Sequence, residues 1–298
     1  MRKITTVLVL CLSLILLSAC GSSDETSSGD SDSGSGNGSK SKLAELKDKG
    51  TVTVGFANEK PYAYKEDGEL KGEAVAIAKE IFKNLGVDKM KGKLADFGQL
   101  IPGLKAGQFD VITAGMAIQP KRCEEADFGE PELKYGEGIV VQKGNPKDIH
   151  SYEDIANNSD INVSVMSGAT EIGFLKSQGV SEKQINQAPD IPATFSAIQS
   201  GRADVTTATE MTLKMAVESA DQSKLEFVTD FEQPDVEGVP SYGAAAFSKD
   251  SDELRKAYNK ELKKLKDNGK LLELVKPSGF GERNLIKKDL TTEDLCKG

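Results

Sequence analysis

The sequence predicts an α/β fold built as two lobes, and three observations carry that expectation. Strand-like alternation and helix-like periodicity follow one another along the chain, the order that layered α/β proteins show around a mostly parallel sheet. Once the low-complexity start is set aside, about 255 residues remain, enough for one large domain or two ordinary ones. A helix-to-strand phrase also occurs twice, as Gly103-Leu-Lys-Ala-Gly-Gln-Phe-Asp-Val111 and Ala197-Ile-Gln-Ser-Gly-Arg-Ala-Asp-Val205. Two modules of one grammar point to two lobes of like architecture, whereas chance recurrence of a common turn would leave a single sheet.

The first element is a secretory signal over residues 1–19. Arg2 and Lys3 precede an apolar run from Val7 to Leu17, and small residues follow at Ser18-Ala19. Ile4 to Ala19 would span roughly 24 Å as a helix, short of a hydrocarbon core of about 30 Å. Leu17-Ser18-Ala19-Cys20 resembles a bacterial lipobox, which makes Cys20 the expected lipidation site. Gly21 to Lys42 is mostly Gly, Ser, Asp and Asn, without a large apolar residue. Such a chain cannot bury enough surface to order itself. Residues 20–42 are therefore expected to be a lipidated cysteine and a tether with a mean reach of ~26 Å.

The body follows. Thr51 to Phe56 alternates like a half-buried strand, Tyr62 to Tyr64 reads as extended, and Glu66-Asp67-Gly68 reads as a turn. Ala74, Ile77, Ala78, Ile81, Phe82 and Leu85 keep helical spacing, and Gly86 closes that helix. Leu100 to Gly107 and Phe195 to Gly201 read as helices leading into strands at Phe109–Ala114 and Val205–Ala208. Ser251 can cap a long helix with the stripe Leu254, Ala257, Tyr258, Leu262 and Leu265, stopping near Asn268-Gly269.

Composition narrows the function. Without residues 1–19 the chain holds 36 basic and 47 acidic side chains, a net charge of −11. That argues against nucleic acid and against docking on anionic lipid. The chain has one histidine, His150, in a loop read as exposed and solvated, and no tryptophan. A multi-histidine metal site is impossible, and a Ser-His-Asp or Cys-His site would need that one imidazole. Cys11 leaves with the signal and Cys20 takes lipid, which leaves Cys123 and Cys296 without a CxxC spacing. Outside the cytoplasm two such thiols most often pair; the alternative is two separately buried thiols.

From Asp96 the chain reads Asp-Phe-Gly-Gln-Leu-Ile-Pro-Gly-Leu-Lys-Ala-Gly-Gln-Phe-Asp-Val-Ile-Thr-Ala-Gly-Met116, then Pro120-Lys-Arg122-Cys123 and Asp127-Phe128-Gly-Glu-Pro131. This resembles the extracellular solute-binding proteins that serve ABC importers of polar amino acids and related compounds, over roughly Leu43 to Cys296. The resemblance implies a periplasmic-binding-protein-like fold, with two hinge strands near Leu133–Val141 and Val236–Ala244 and the solute in the cleft. Residues 43–138 and 240–298 would form the first lobe and 139–239 the second. Within the family, the ectoine- and hydroxyectoine-binding branch is similar at Ala57-Asn58-Glu59-Lys60-Pro61-Tyr62, Pro-x-Arg-Cys at 120–123, Gly243-Ala-Ala-Ala-Phe247, Gly279-Phe280 and Asp294-Leu295-Cys296. That likeness implies a Cys123–Cys296 disulfide, since cysteines at these two places recur together in the branch.

The expected site follows from chemistry laid on that frame. The Arg122 guanidinium matches a carboxylate with two parallel hydrogen bonds. Gly168-Ala169-Thr170 precede a helix from Ile172 to Gln178, whose start offers N–H groups to the same anion, although Thr170 reads equally as a plain N-cap. Glu59 among Tyr62, Tyr64 and Phe97 suits a delocalised cation, with Gly115 and Ala117 of the Ala-Gly-Met-Ala segment beside them. Ectoine, a zwitterion with a carboxylate and a cyclic amidinium, fits such a set.

Two positions discriminate between ligands. The family's amino-acid binders carry an acid five residues after the aspartate of Gly-Arg-x-Asp, where this chain has Thr209; Glu210 should start a helix and point elsewhere. The ectoine branch carries phenylalanine five residues before the arginine, and amino-acid binders a serine or threonine, where this chain has Ala117. Tyr64, Phe195 or Tyr242 would have to replace that wall. The expectation is a monomeric, lipid-anchored substrate-binding protein that hands ectoine or hydroxyectoine to an ABC permease. No cofactor, metal or nucleic acid is expected, and the lipid is its sole membrane contact. The alternative is a polar or cationic amino acid. An enzyme on the same fold would need a poised acid or base, for which Glu59 is the obvious candidate, and a sensory role would need a separate signalling partner.

Overall fold

A computed structural model describes residues 40–286 and 290–297. The signal segment 1–19, Cys20 and the tether up to residue 39 lie outside the described residues. The body begins with α1 (Lys42–Lys49), whose N-cap Ser41 accepts the backbone N–H of Ala44, so order starts before the tether's expected end. Then come β1 (Thr51–Phe56), the hairpin β2 (Tyr64–Glu66) and β3 (Glu69–Lys71), α2 (Glu73–Asn84), β4 (Lys89–Leu94), α3 (Leu100–Lys105), β5 (Val111–Ile112), α4 (Pro120–Glu125) and β6 (Asp127–Phe128). After the crossing strand β7 (Leu133–Tyr135) the chain builds β8 (Glu137–Gln142), α5 (Tyr152–Asn157), β9 (Val163–Met166), α6 (Glu171–Ser177), β10 (Ile185–Ala188), α7 (Ile191–Gln199), β11 (Val205–Thr209), α8 (Glu210–Glu218) and β12 (Leu225–Phe227). It returns along β13 (Ser241–Gly243) to β14 (Ala246–Phe247), α9 (Asp252–Asp267), α10 (Lys270–Val275) and α11 (Thr292–Lys297).

Two five-stranded sheets result, in the orders β4-β1-β5-β14-β6 and β10-β9-β11-β8-β12, and β7 pairs with β13 as an antiparallel ladder where the chain crosses. Each sheet is half parallel rather than mostly parallel. β1 runs parallel to β4 and β5, and β9 to β10 and β11, but β14 and β8 lie antiparallel to their neighbours. β8 enters its sheet directly from the hinge and β14 soon after it, so neither has the helical crossover that a parallel pairing needs.

The repeated phrase marks equivalent places in the two sheets. Gly107 and Gly201, at φ 66° and 72°, end α3 and α7 in the left-handed conformation that glycine tolerates. Four residues into each phrase's second half, Asp110 accepts the backbone N–H of Thr53 at 2.8 Å and Asp204 that of Asn162 at 2.8 Å. Each aspartate also pairs with a lysine, Lys42 and Lys147 respectively.

The first lobe packs Leu46, Val54, Phe56, Ile77, Ile81, Phe82, Phe247, Tyr258 and Leu262 into one buried cluster. The second packs Ile139, Tyr152, Ile155, Val163, Val165, Leu175 and Val205. A further cluster holds Ile112 and Phe128 of the first sheet with Val140 and Met166 of the second. The lobes touch backbone to backbone as well. A Cβ on Gly168, which sits at φ 79°, would stand 2.7 Å from the Gly98 Cα.

Several local expectations are corrected. Tyr62 is not extended but lies in a turn, with its N–H and that of Ala63 both given to the Glu59 carbonyl. The strand expected over Phe109–Ala114 shortens to Val111–Ile112, although the Asp110 and Thr113 amides still reach the Thr53 and Gly55 carbonyls of β1. Ser251 stands at the start of α9, but its hydroxyl faces Asp250 and makes no cap. His150 is half-exposed rather than free in solvent: its two ring nitrogens face Asp148 at 3.1 Å and Asp230 at 2.9 Å, which raises its pKa.

Candidate functional site

Arg122 stands on α4, whose first residue Pro120 presets the helical turn. Its Nη1 donates to the Ala117 carbonyl and its Nη2 to the Gly168 carbonyl of the other lobe, both at 2.9 Å. The guanidinium lies 5.4 Å over the Phe97 ring. Burial lowers its pKa to about 10, with Glu171 and Glu59 acting against that, so it stays cationic at neutral pH. Cys123, the next residue, is disulfide-bonded to Cys296 with a Cα–Cα distance of 5.8 Å, which ties α4 to α11.

Around this cation the two lobes enclose a narrow pocket of about 30 Å³. Of the residues expected there, Glu59, Tyr62, Phe97, Gly115, Ala117, Arg122, Ala169, Thr170 and Thr209 line it. Gly168 contributes its carbonyl to Arg122 rather than a wall. Gly115 is required by close approach, since a Cβ there would meet the Tyr62 ring at 2.4 Å.

Tyr64 does not face this pocket. The β2–β3 hairpin turns its ring into an adjoining chamber, where Lys60 Nζ sits 4.9 Å over its face. Phe195 lines that same chamber, and Tyr242 lines neither space, so none of the three replaces the wall missing at Ala117. Ala117 instead forms a backbone bridge to Gly243, and Tyr135 supplies an aromatic surface from β7. The Thr170 hydroxyl does not cap α6 but lies 3.2 Å from the Glu171 carboxylate. Glu210 opens α8 and points away, pairing with Lys214 and Arg283.

The residues that sequence reasoning missed are mainly acids and hydroxyls. Thr212, one turn beyond Thr209 on α8, completes a chain of hydroxyls across the cleft. Tyr62 Oη donates to Thr209 Oγ1 at 2.7 Å, Thr209 to Thr212 at 3.0 Å, and Thr212 to Glu59 Oε1 at 2.8 Å. A Thr-x-x-Thr pair at the start of a helix was the one available signal, because positions three apart share a helix face.

Glu171 and Glu137 are buried beside the pocket, and Ser241 Oγ reaches Glu137 at 3.2 Å. Burial raises both carboxyls' pKa values, and the neighbouring charge of Glu171 raises Glu137 further. Two such groups do not ionise together readily. Glu59 is pushed up to about 7, chiefly by burial, with Thr212 and Arg122 pulling it down. The cleft thus sets one guanidinium against an excess of carboxyl groups, an arrangement that accepts a ligand carrying both signs of charge.

A two-lobed α/β fold with an interlobe pocket, an arginine on one wall and an acid on another defines a solute-binding protein. The family model of the bacterial extracellular solute-binding proteins, family 3, matches residues 52–279, and the chain belongs to that family. A probable amino-acid ABC transporter periplasmic-binding protein of Sinorhizobium fredii is 35% identical over 260 residues, covering 85% of each chain. The arginine-binding extracellular protein of Bacillus subtilis is 30% identical, over 76% of this chain and 85% of its own. The crystal structure of EhuB in complex with hydroxyectoine superposes with a TM-score of 0.78 at 34% identity, covering 86% of this chain and 97% of that one. The protein is a substrate-binding component of an amino-acid-type ABC importer, and these relatives are solute-binding proteins rather than enzymes. Among the described residues no helix is long and apolar enough to cross a membrane.

Proposed function

We propose that the chain binds a small zwitterion whose cation is delocalised over a ring, with ectoine and hydroxyectoine as the ligands, and presents it to an ABC permease. One observation carries this reading: Arg122 and Glu59 both line a pocket in which position 209 offers a hydroxyl instead of an acid. The ligand carboxylate would take the Arg122 fork, now satisfied by two carbonyls, and the ring cation would lie against Glu59 with Tyr62 and Phe97 as walls. The likeness to the hydroxyectoine-bound structure supports the assignment. In this reading Cys20 carries the lipid that holds the protein, as a monomer, at the outer face of the membrane.

A polar or cationic α-amino acid is the second reading, favoured by the small side chain at Ala117 and by the arginine-binding relative. Calorimetric titration of the mature body with ectoine, hydroxyectoine, proline, glycine betaine, arginine and glutamine decides between them. Micromolar binding of an α-amino acid with no response to ectoine would remove the first reading.

A further inference from the structure

Glu59 lines two spaces. The second, which Arg122 does not line, is a chamber of about 400 Å³ between the Ala57–Lys65 segment of the first lobe and helices α7 and α8 of the second lobe. The size falls within the range that encloses small organic ligands. Ile191, Phe195, Met215 and Ala216 give the chamber apolar walls, and Asn58 and Gln199 give it a polar rim.

Its other charged residues already have partners, Lys60 while standing over the Tyr64 ring of the chamber itself. Lys60 is bonded to Glu66 at 2.8 Å, Lys65 lies 6.0 Å over the Phe56 ring, and Asp190 caps α7 through the Ala193 N–H. The Glu59 carboxylate, which accepts a hydrogen bond from Thr212, is therefore the acid that a half-open chamber with apolar walls offers to a cation. A cation bearing an aliphatic extension satisfies both features.

We propose that this chamber is a second subsite, and that it admits an aliphatic extension on the cationic end of the ligand, so that the protein accepts zwitterions larger than ectoine itself. The proposal rests on Glu59 as the cation-binding group of the cleft. It makes Met215, Ala216, Ile191 and Phe195 determinants of specificity.

The test uses pentanamidinium, an amidinium carrying a butyl chain, as a probe that lacks a carboxylate and so needs nothing from Arg122. Protein labelled with ¹³C in its methionine methyl groups is titrated with it. The Met215 methyl resonance should shift saturably. The probe should be displaced by ectoine through competition for Glu59, and Glu59→Gln should weaken it at least about tenfold. Ala216→Phe and Ser196→Phe, which fill the chamber from α8 and α7, should each abolish the shift. Ectoine affinity measured by calorimetry should change less than about twofold, within the scatter of a site left intact.

No saturable shift at Met215, a shift that survives in both filled variants, or one indifferent to Glu59→Gln would overturn the proposal. The ectoine titration separates the two readings. A protein that takes pentanamidinium but not ectoine keeps the chamber and loses the ligand assigned above. A protein that takes ectoine but not the probe does the reverse.

Discussion

Glu59 and Thr212 lie 153 residues apart in the chain, on opposite sides of the cleft, and share a 2.8 Å hydrogen bond in which the hydroxyl donates to the carboxylate. The bond spans the two lobes and also favours the charged form of Glu59, so it links the interlobe contact to the charge that a cationic ligand needs. Thr212→Val keeps the shape and removes the donor. The pKa of Glu59 should rise, and affinity for a cationic ligand at neutral pH should fall about tenfold, the scale of a bond to a charged group. Calorimetry at two pH values measures both; unchanged affinity at each would separate Thr212 from the site.

The pKa of Glu59 predicts opposite pH trends for stability and binding. Its folded value of about 7 lies above the ordinary 4.5, so the native state holds the extra proton between those values. The stability that this proton contributes is complete below the lower value and lost as pH rises through the upper one. The melting temperature of the ligand-free protein should therefore fall across that window, and Glu59→Gln should remove part of the slope. Ligand affinity should rise over the same range as Glu59 ionises. Protons released on binding, measured in buffers of different ionisation enthalpy, report the coupling directly.

Arg122 gives the anion side its test. Arg122→Ala should abolish measurable binding of any carboxylate ligand, since breaking one side of a buried charge pair costs about 2–5 kcal/mol or more. Arg122→Lys should rescue it poorly, because an ammonium lacks the fork that here reaches two carbonyls at once. Near-native affinity in the alanine variant, with an unchanged circular dichroism spectrum, would place the ligand elsewhere.

Ala117→Phe separates the two ligand readings. A ring at this position would stand against the pocket beside Arg122 and Phe97. Ectoine binding should strengthen, or preference should move away from hydroxyectoine, because a missing aromatic wall is worth roughly 1–2 kcal/mol. An α-amino acid ligand should instead be blocked. Side-by-side titration of wild type and variant with ectoine and arginine reads the sign.

The disulfide predicts that the unreduced body from Leu43 onward, which lacks Cys20, shows no free thiols in denaturant. The bond spans a sequence separation of 173, for which chain entropy suggests about 5 kcal/mol. Cys296→Ala should lower the melting temperature by roughly 10 °C and weaken ligand binding by loosening α4. An unchanged melting temperature would show that α11 contributes little to the native state.

What was legible in the sequence was what local pattern encodes. Asp110 and Asp204 repeat one phrase, and each ties its own backbone to a neighbouring strand in the same way. Arg122 and Glu59 were visible as charges beside turn residues and aromatics. Glu137 was not, because an acid at the start of a strand looks like any solvent-facing position until residues distant in sequence, Ser241 and Glu171, pack against it. Glu171 looked like a favourable first-turn charge on α6, and the burial that changes its chemistry arises from residues far away in sequence. Tyr64 was misplaced for a related reason: the hairpin that carries it turns its ring to the next chamber.

The insertion of the second sheet between the two halves of the first has a consequence for how the chain is made. Strand β14 lies between β5 and β6 in the sheet, but the chain reaches it only after β7 to β13 have been produced. Delivered from its N-terminus at about 5–20 residues per second, the nascent chain leaves the edges of β5 and β6 without their shared neighbour for on the order of ten seconds. Unpaired edges are templates for pairing with another chain. The interruption that creates a cleft for the solute therefore leaves newborn molecules exposed to one another, and the last strand to arrive ends that exposure.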